Sequence, residues 1–248
     1  MRRQPGAATL RRMKLRQAGD GAMLAEFSEG LDPQAVARVR ALDAALAIDP
    51  PVGLTETVPG LRSLLLLHDP LLLSARRLRT LLERLETLPE VTPDAAEWLI
   101  PVCYEVEFAN DLAEIAARTG FTTAQVVARH VAAVYTAFAV GSFPGLPYLG
   151  GLDPALEMPR RVPPRVVVPA GSVAIALTMS NIYPQATPGG WNILGRTPVP
   201  IFDAAWVRPS LLSPGDVVRH RAVSGAEYDA LAAGFADGSR DPRQECRA

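Results

Sequence analysis

Two stretches in the first half of the chain carry apolar residues at helical spacing. One follows Asp32-Pro33, which offers an N-cap residue and a proline for the first helical position. The other follows Ser74, also a favoured N-cap residue. The apolar residues are Val36, Val39, Leu42 and Leu46 in the first stretch and Leu78, Leu81, Leu82 and Leu85 in the second. This spacing predicts two amphipathic helices.

Strand patterns surround these helices. Residues 14–28 are apolar around Gly19-Asp20-Gly21, which predicts a strand or a tight hairpin. The runs VGLTETV and LRSLLLLH are separated by Pro59-Gly60, and residues 98–108 alternate as a half-buried strand does. The resulting order β-α-β-β-α-β is typical of a ferredoxin-like unit, with a linker at residues 89–93 before the last strand.

Two capped helices and then a β-rich region follow. Asp111 with Glu114, and Thr122 with Gln125, fit capping boxes, and Gly120 is placed to end the first helix. The second helix is expected to bury the face that carries Val127, Val131, Val134 and Phe138. From residue 141 to about 223, prolines and glycines separate short apolar runs, which predicts a small all-β barrel or sandwich.

These patterns predict an α+β protein, and its 248 residues suffice for two ordinary domains. The expected parts are a disordered extension at 1–12, a ferredoxin-like domain at 13–92, a β-barrel domain at 93–232 and a flexible tail at 233–248. The tail is predicted to be flexible because it is polar and terminal.

Composition narrows the classes of function. The net charge of −1 gives no sign of a nucleic-acid partner, and no apolar run is long enough to span a membrane. The basic N-terminus lacks the apolar core of a secretory signal, so a cytoplasmic location is expected. Lys14 is the only lysine and no P-loop motif occurs, which disfavours Schiff-base chemistry and a nucleotide site of that type. Cys103 and Cys246 suggest neither a disulfide framework nor a zinc site.

Four rigid loops in the β-rich region carry the candidate chemistry. They lie at 143–151, 159–172, 181–198 and 214–220, and most combine prolines and glycines with arginine or aromatic residues. Because arginine can donate twice to a carboxylate or phosphate, the loops predict a pocket for a small planar or anionic ligand. The residues concerned are Arg160, Arg161, Arg165, Arg196, Tyr148, Tyr183 and Trp191.

Each candidate also has a structural interpretation. Tyr183 and Trp191 fit core aromatics with a hydrogen-bonded polar tip, and Arg165 and Arg196 fit surface positions. His130 lies near the buried face of a helix, where a lone histidine is more often structural than catalytic. The residues alone therefore predict an arginine- and aromatic-lined pocket and no particular reaction.

Several motifs together resemble the family of the 5-oxoprolinase B subunit, also called allophanate hydrolase subunit 1, which includes a sporulation-kinase inhibitor. In the second half they are PGLPYLGGLDP, MPRRVPPR, VPAGSVAIA, IYPQATPGGWNILGRTPVPIFD and LLSPGDVVRHRAVSGAEYDAL. In the first half they are AGDGAMLAEF, VPGLRSLLLLHDP and IPVCYEVEFANDL. The resemblance covers about residues 13 to 232.

The resemblance implies a ferredoxin-like N-terminal domain and a cyclophilin-like β-barrel. It also implies a heteromeric enzyme in which this chain, inactive alone, forms a composite site with a C subunit. With an A subunit, the set converts 5-oxoproline to glutamate with ATP, which the assembled complex binds. Two alternatives remain open: a regulatory protein that inhibits a histidine kinase, and a carboxyltransferase component of a urea carboxylase-like enzyme.

On this resemblance the candidate residues take specific roles. Arg165 and Arg196 are expected to bind a carboxylate or phosphate, with His130 as a general base. The expected substrate-binding residues are Pro147, Tyr148, Tyr183 and Trp191. The chain departs from the family at Ser142 and Leu146, where phenylalanines are usual, and at Met179, Ser180 and Asn181, where Gln-Thr-Gly is usual. These departures put the substrate in question, or activity itself, while the fold is expected to persist.

Overall fold

The computed structural model describes residues 12–30, 32–86 and 95–248. Contacts divide the chain into two compact units, Met1–Pro93 and Asp94–Ala248. Apart from Arg12, the extension predicted at 1–12 lies outside the described residues. Within the described ranges, no helix has both the length and the apolar character needed to cross a membrane.

The first unit is an antiparallel sheet packed against two helices. In chain order its elements are β1 (Lys14–Gln17), β2 (Ala22–Glu26), α1 (Pro33–Ile48), β3 (Leu54–Pro59), β4 (Ser63–His68) and α2 (Ala75–Leu85). The strand order is β1-β2-β4-β3. Alternate residues of β2 and β4 are buried against helix residues such as Leu42 and Leu78, as the period of two requires.

Both predicted helix starts are confirmed, but the predicted element order is wrong. The Asp32 side chain accepts a hydrogen bond from the Gln34 backbone N–H at 2.9 Å, and Ser74 caps α2. Residues 14–28 form the hairpin β1–β2, which turns at Gly19 with φ of +77° and supplies the fourth strand. The strand predicted at 98–108 is absent from this sheet, because alternation identifies a strand without identifying its neighbours.

The second unit is built around a closed barrel. Its elements are β5 (Glu97–Cys103), α3 (Leu112–Thr119), α4 (Thr123–Ala132), β6 (Tyr135–Val140), β7 (Pro147–Gly150), β8 (Arg165–Val168), β9 (Ser172–Ala176), β10 (Met179–Ile182), β11 (Thr187–Gly189), β12 (Asn192–Arg196), β13 (Val217–Val223), α5 (Gly225–Ala236) and α6 (Pro242–Glu245). Seven strands close in the order β10-β7-β6-β13-β5-β12-β9, and β8 pairs with β11 in a separate two-stranded sheet. The predicted α+β class with a β-barrel is confirmed.

Asp216 fixes the parallel pairing of β5 with β13. Its buried carboxylate accepts hydrogen bonds from the Ala96 backbone N–H at 3.1 Å, Trp98 Nε1 at 2.9 Å and the Ser213 backbone N–H at 2.9 Å. A buried carboxylate needs such partners to offset its lost hydration. The loop at 214–220, one of the four candidate loops, therefore contributes a structural tie through this residue.

The two helices between β5 and β6 differ in part from expectation. The capping box of Thr122 and Gln125 is present, and Gly120 ends α3 with φ of +77°. The buried residues of α4 are Val126 and His130, so the buried face is displaced by one position from the predicted one. Because α4 ends at residue 132, Val134 and Phe138 lie beyond it, with Phe138 in β6.

The tail predicted to be flexible is packed against the barrel. Residues 225–236 and 242–245 form α5 and α6. The Leu99 backbone N–H donates to the Cys246 carbonyl at 2.8 Å, and the Ala248 N–H donates to the Glu97 carbonyl at 2.9 Å. The polar composition of the segment gives no sign of this, because backbone groups at the start of β5 make the contacts.

Candidate functional site

The outer wall of the barrel carries the aromatic residues predicted for the pocket. Along β9, Val173 and Ile175 belong to the cluster that fills the barrel, whereas Ala174 and Ala176 belong to a second cluster. Alternate side chains of a strand face opposite sides, so this second cluster lies outside the wall. We call it the outer-wall cluster. It contains Leu146, Val168, Ala174, Ala176, Met179, Tyr183, Trp191 and Ile193, with Tyr148 packed against them.

Tyr183 is a buried member of the outer-wall cluster with its hydroxyl in a polar setting. Burial raises the pKa of Tyr183, while the Asn181 side chain, the Trp191 backbone and the positive charge of Arg160 oppose the rise. A Cβ atom at Gly189 would lie only 2.4 Å from the Tyr183 hydroxyl, so glycine is needed for this close approach. Tyr183 therefore forms the wall of the site and not its open surface.

Tyr148 is the more accessible aromatic residue. Its hydroxyl lies 2.9 Å from Ser142 Oγ, and its ring meets that of Trp191 edge-on at 6.1 Å. Pro147 is buried and begins β7, where its missing N–H is tolerated at the first position of the strand. The loop at 143–151 thus ends in a barrel strand and presents Tyr148 at the edge of the cluster.

A buried carboxylate already pairs with two of the arginines flagged by the sequence. Asp111, 3% exposed, accepts from Arg165 Nη2 and from Arg161 Nη1, the latter at 3.2 Å. It also accepts from the Ile193 backbone N–H at 2.7 Å. The predicted capping box at Asp111 is wrong, since its side chain makes no cap hydrogen bond and is used by these other donors. Arg165 consequently holds an internal anion.

Arg160 differs from its two neighbours in the loop. It is exposed, and no described carboxylate lies within ion-pairing distance of it. Its charge acts on the Tyr183 hydroxyl, and its Nε atom lies near Gly190 at the edge of the cluster. Of Arg160, Arg161 and Arg165, Arg160 has the guanidinium available to a ligand.

Arg196 does not share the position of Arg165. Arg165 reaches the Trp191 carbonyl just before β12, whereas Arg196 is the last residue of that strand, roughly 16 Å further along an extended chain. The Arg196 guanidinium lies 5.5 Å from the centre of the Phe108 ring and interacts with the Tyr228 hydroxyl. The two arginines predicted to bind one ligand therefore lie at separate places.

His130 is enclosed in the barrel unit with no exposed surface. Its Nδ1 lies 2.8 Å from the Tyr104 hydroxyl and its Nε2 lies 3.4 Å from Ser180 Oγ. Its ring stacks on that of His220 at 4.8 Å, and burial lowers the pKa of His130 well below its usual range. This geometry offers no direct contact between His130 and a ligand on the outer wall.

Sequence reasoning misses the role of Asp111 and underrates Arg160. The spacing of Asp111 to Glu114 fits a helix cap, and no local pattern shows an arginine fifty residues away. Arg160 stands beside Arg161 in the sequence, so only the structure separates the paired guanidinium from the available one.

Comparison with known proteins identifies a matching family and several named relatives. A family model described as "Carboxyltransferase domain, subdomain C and D" matches residues 13–212. The 5-oxoprolinase B subunit of Bacillus subtilis (strain 168) is 33% identical over 233 residues, 88% of this chain and 96% of the relative. The 5-oxoprolinase B subunit of Escherichia coli O157:H7 is 39% identical over 168 residues, 67% of this chain and 77% of that protein.

A solved structure shows the same fold inside a longer chain. The protein in the crystal structure of TTHA0988 is 39% identical in sequence to this chain, and the two structures align with a TM-score of 0.74. The match covers 86% of this chain and 41% of the solved one, so this chain spans about two fifths of that protein. In TTHA0988, the fold of this chain therefore forms one part of a longer polypeptide.

Proposed function

Since the chain belongs to the family of the carboxyltransferase domain, subdomains C and D, we propose that it is the B subunit of an ATP-dependent 5-oxoprolinase. In this proposal it contributes one half of a site that opens the lactam ring of 5-oxoproline to give glutamate. Relatives named as the B subunit of 5-oxoprolinase, at 33% and 39% identity, support the assignment. The outer-wall cluster beside an available arginine is the structural observation that carries it.

The proposed half-site has an apolar side and a cationic side. Tyr148, which lies beside the largely buried Trp191, offers a partly exposed ring for apolar contact with a small ring, and Arg160 offers a donor pair for a carboxylate. 5-Oxoproline carries both a ring and a carboxylate. Arg165 serves as a positioning residue, because its bond to Asp111 fixes the loop that precedes β8.

The remaining chemistry is assigned to partners. Hydrolysis of a lactam requires activation of the carbonyl and stabilisation of a tetrahedral oxyanion. The chain carries no P-loop motif and its single lysine, Lys14, lies in the first unit, so these residues do not fit a P-loop nucleotide site. We assign ATP to the complex assembled with the A and C subunits. In this proposal the enclosed His130 takes no part in proton transfer, and Arg196 packs against Tyr228 of α5.

Reconstitution from purified proteins tests the proposal. The assay measures 5-oxoproline-dependent ADP formation by the A, B and C subunits together and with each one left out. The proposal predicts activity for the full set and none for this chain alone. Undiminished activity without this chain, or full activity from this chain alone, would contradict it.

A second candidate follows from the description of the family model, which names a carboxyltransferase domain. In that case a biotin-carrying partner would bring carboxybiotin to the outer-wall site, where its carboxyl group would be transferred to an acceptor such as urea and free biotin would be released. The same reconstituted set, supplied with carboxybiotin and a urea acceptor, separates the two functions. Carboxyl transfer without 5-oxoproline-dependent ADP formation would favour the carboxyltransferase.

A further inference from the structure

The first unit contains a cavity of about 310 Å³ that the proposed function does not use. It lies where β1 and β2 meet the turn between β3 and β4. Its charged lining residues are Arg12, Lys14, Arg16, Arg62, Glu26 and Glu29, and Phe27 and Ser28 complete it.

Strand alternation explains the cationic character of the cavity. Arg12, Lys14 and Arg16 occupy every second position, so in and just before β1 they project to the same side of the sheet. Met13 is buried and belongs to the core between sheet and helices. Arg62 comes from the turn before β4 and lines the cavity with them.

Carboxylates balance only part of this charge. Four cationic side chains face two carboxylates, which leaves an excess of two positive charges. Glu26 is shared by two arginines, at 2.6 Å from Arg16 Nε and 3.9 Å from Arg62 Nη2. Lys14 pairs with Glu29 at 3.1 Å, and no described carboxylate lies within ion-pairing distance of Arg12.

We propose that this cavity is a binding site for a small dianion that carries a phosphoryl group. The excess of two charges matches a phosphate monoester or inorganic phosphate near neutral pH. Three guanidinium groups around one space suit a group with three terminal oxygens better than a single carboxylate. The space is large enough for a small ester, and it lacks the glycine-rich backbone of a P-loop.

The site is independent of the proposed 5-oxoprolinase function, and its test needs only the full-length chain. Isothermal titration calorimetry with inorganic phosphate and with adenosine monophosphate is carried out at constant ionic strength, set with sodium chloride. We expect saturable binding of at least one probe. Binding of phosphate alone would define a site for the free ion, whereas binding only of the ester would show that the organic part is also recognised.

Three variants locate the binding in this cavity. Arg12→Gln and Arg62→Gln should each weaken binding about tenfold, since each removes a charged donor. Glu26→Gln should strengthen binding several-fold, because it removes the carboxylate that competes for Arg16 and Arg62. Arg219→Gln, an exposed change on β13, is the matched control and should leave affinity unchanged.

The proposal is overturned if neither probe binds saturably at constant ionic strength. It is also overturned if Arg219→Gln weakens binding as much as Arg12→Gln, or if Glu26→Gln weakens it. Arg12 is exposed and makes no side-chain hydrogen bond or ion pair among the described residues, so its replacement is not expected to disturb folding.

Discussion

Asp111 and Arg165 form an ion pair that joins the start of α3 to the start of β8 on the outer wall of the barrel. The same carboxylate accepts from Arg161 and from the Ile193 backbone of β12. One buried acidic group therefore holds a helix, a loop and a barrel strand together. The arginine that the sequence suggests as an anion-binding residue is engaged by this internal carboxylate.

Replacement of Asp111 by asparagine should lower stability with little change in shape. The variant removes the charge that compensates two guanidinium groups, both about a quarter exposed. We expect the free energy of unfolding of the second unit to fall by about 2 kcal/mol, since partial exposure of the arginines moderates the loss. All three tryptophans, Trp98, Trp191 and Trp206, lie in the second unit, so fluorescence in urea reports its unfolding.

Glu114→Gln is the control for this measurement. Glu114 pairs with Arg161 at 2.7 Å but its side chain is 44% exposed, so its loss should cost less than about 0.5 kcal/mol. Equal effects from the two variants would show that the Asp111 carboxylate is not the central tie described here.

Arg196→Lys should affect stability more than activity. The substitution keeps the charge but loses the planar group that lies against Phe108 and interacts with Tyr228. We expect a loss of about 1–2 kcal/mol in the second unit and a rate within threefold of wild type in the assembled complex. A large loss of rate with unchanged stability would instead identify Arg196 as a residue that contacts the ligand.

The stacked histidines predict that acid destabilises the second unit. Burial lowers the pKa of His130 well below its usual range and the pKa of His220 to about 4. The unfolded state, with an ordinary histidine pKa near 6.5, thus binds more protons as pH falls below that value. The stability that depends on both histidines being buried in their neutral form is fully present above about pH 6.5. It is lost as the pH falls toward 4, by up to about 1.4 kcal/mol per pH unit for each histidine.

Comparison with His220→Phe isolates this effect from the titration of surface carboxylates. The aromatic ring can keep the stack on His130 but takes up no proton. Fluorescence-detected urea unfolding at pH 7.5 and 5.0 should show a smaller loss of stability for the variant than for wild type. The same loss in both proteins would mean that the histidine pair does not control the acid response.

Much of the fold could be predicted from the sequence because local patterns determine it. The spacing of apolar residues after Asp32-Pro33 and Ser74 predicts both helices of the first unit, and Thr122 with Gln125 predicts a capping box. Short apolar runs between prolines and glycines indicate the barrel. These features depend on neighbours within a few residues.

The parts that could not be predicted depend on partners far away in the chain. Pairing of β5 with β13 joins residues more than a hundred positions apart, and Asp216 contributes to it through Trp98. The three candidate aromatic residues of the outer wall could be found because each stands in a segment rich in proline and glycine. Which arginine is available could not be predicted, since that depends on the contacts of Asp111.

The activity of Arg160→Gln in the complex assembled with the A and C subunits gives the sharpest test of the proposed half-site. Arg160 is the available guanidinium beside the outer-wall cluster, so we expect kcat/KM for 5-oxoproline to fall about 30- to 150-fold, a loss of about 2–3 kcal/mol in transition-state binding. Stability should stay within about 0.5 kcal/mol of wild type, because the side chain is exposed. Arg219→Gln, the matched exposed control, should retain full activity. Wild-type kcat/KM for Arg160→Gln would contradict the assignment of the substrate carboxylate to this residue.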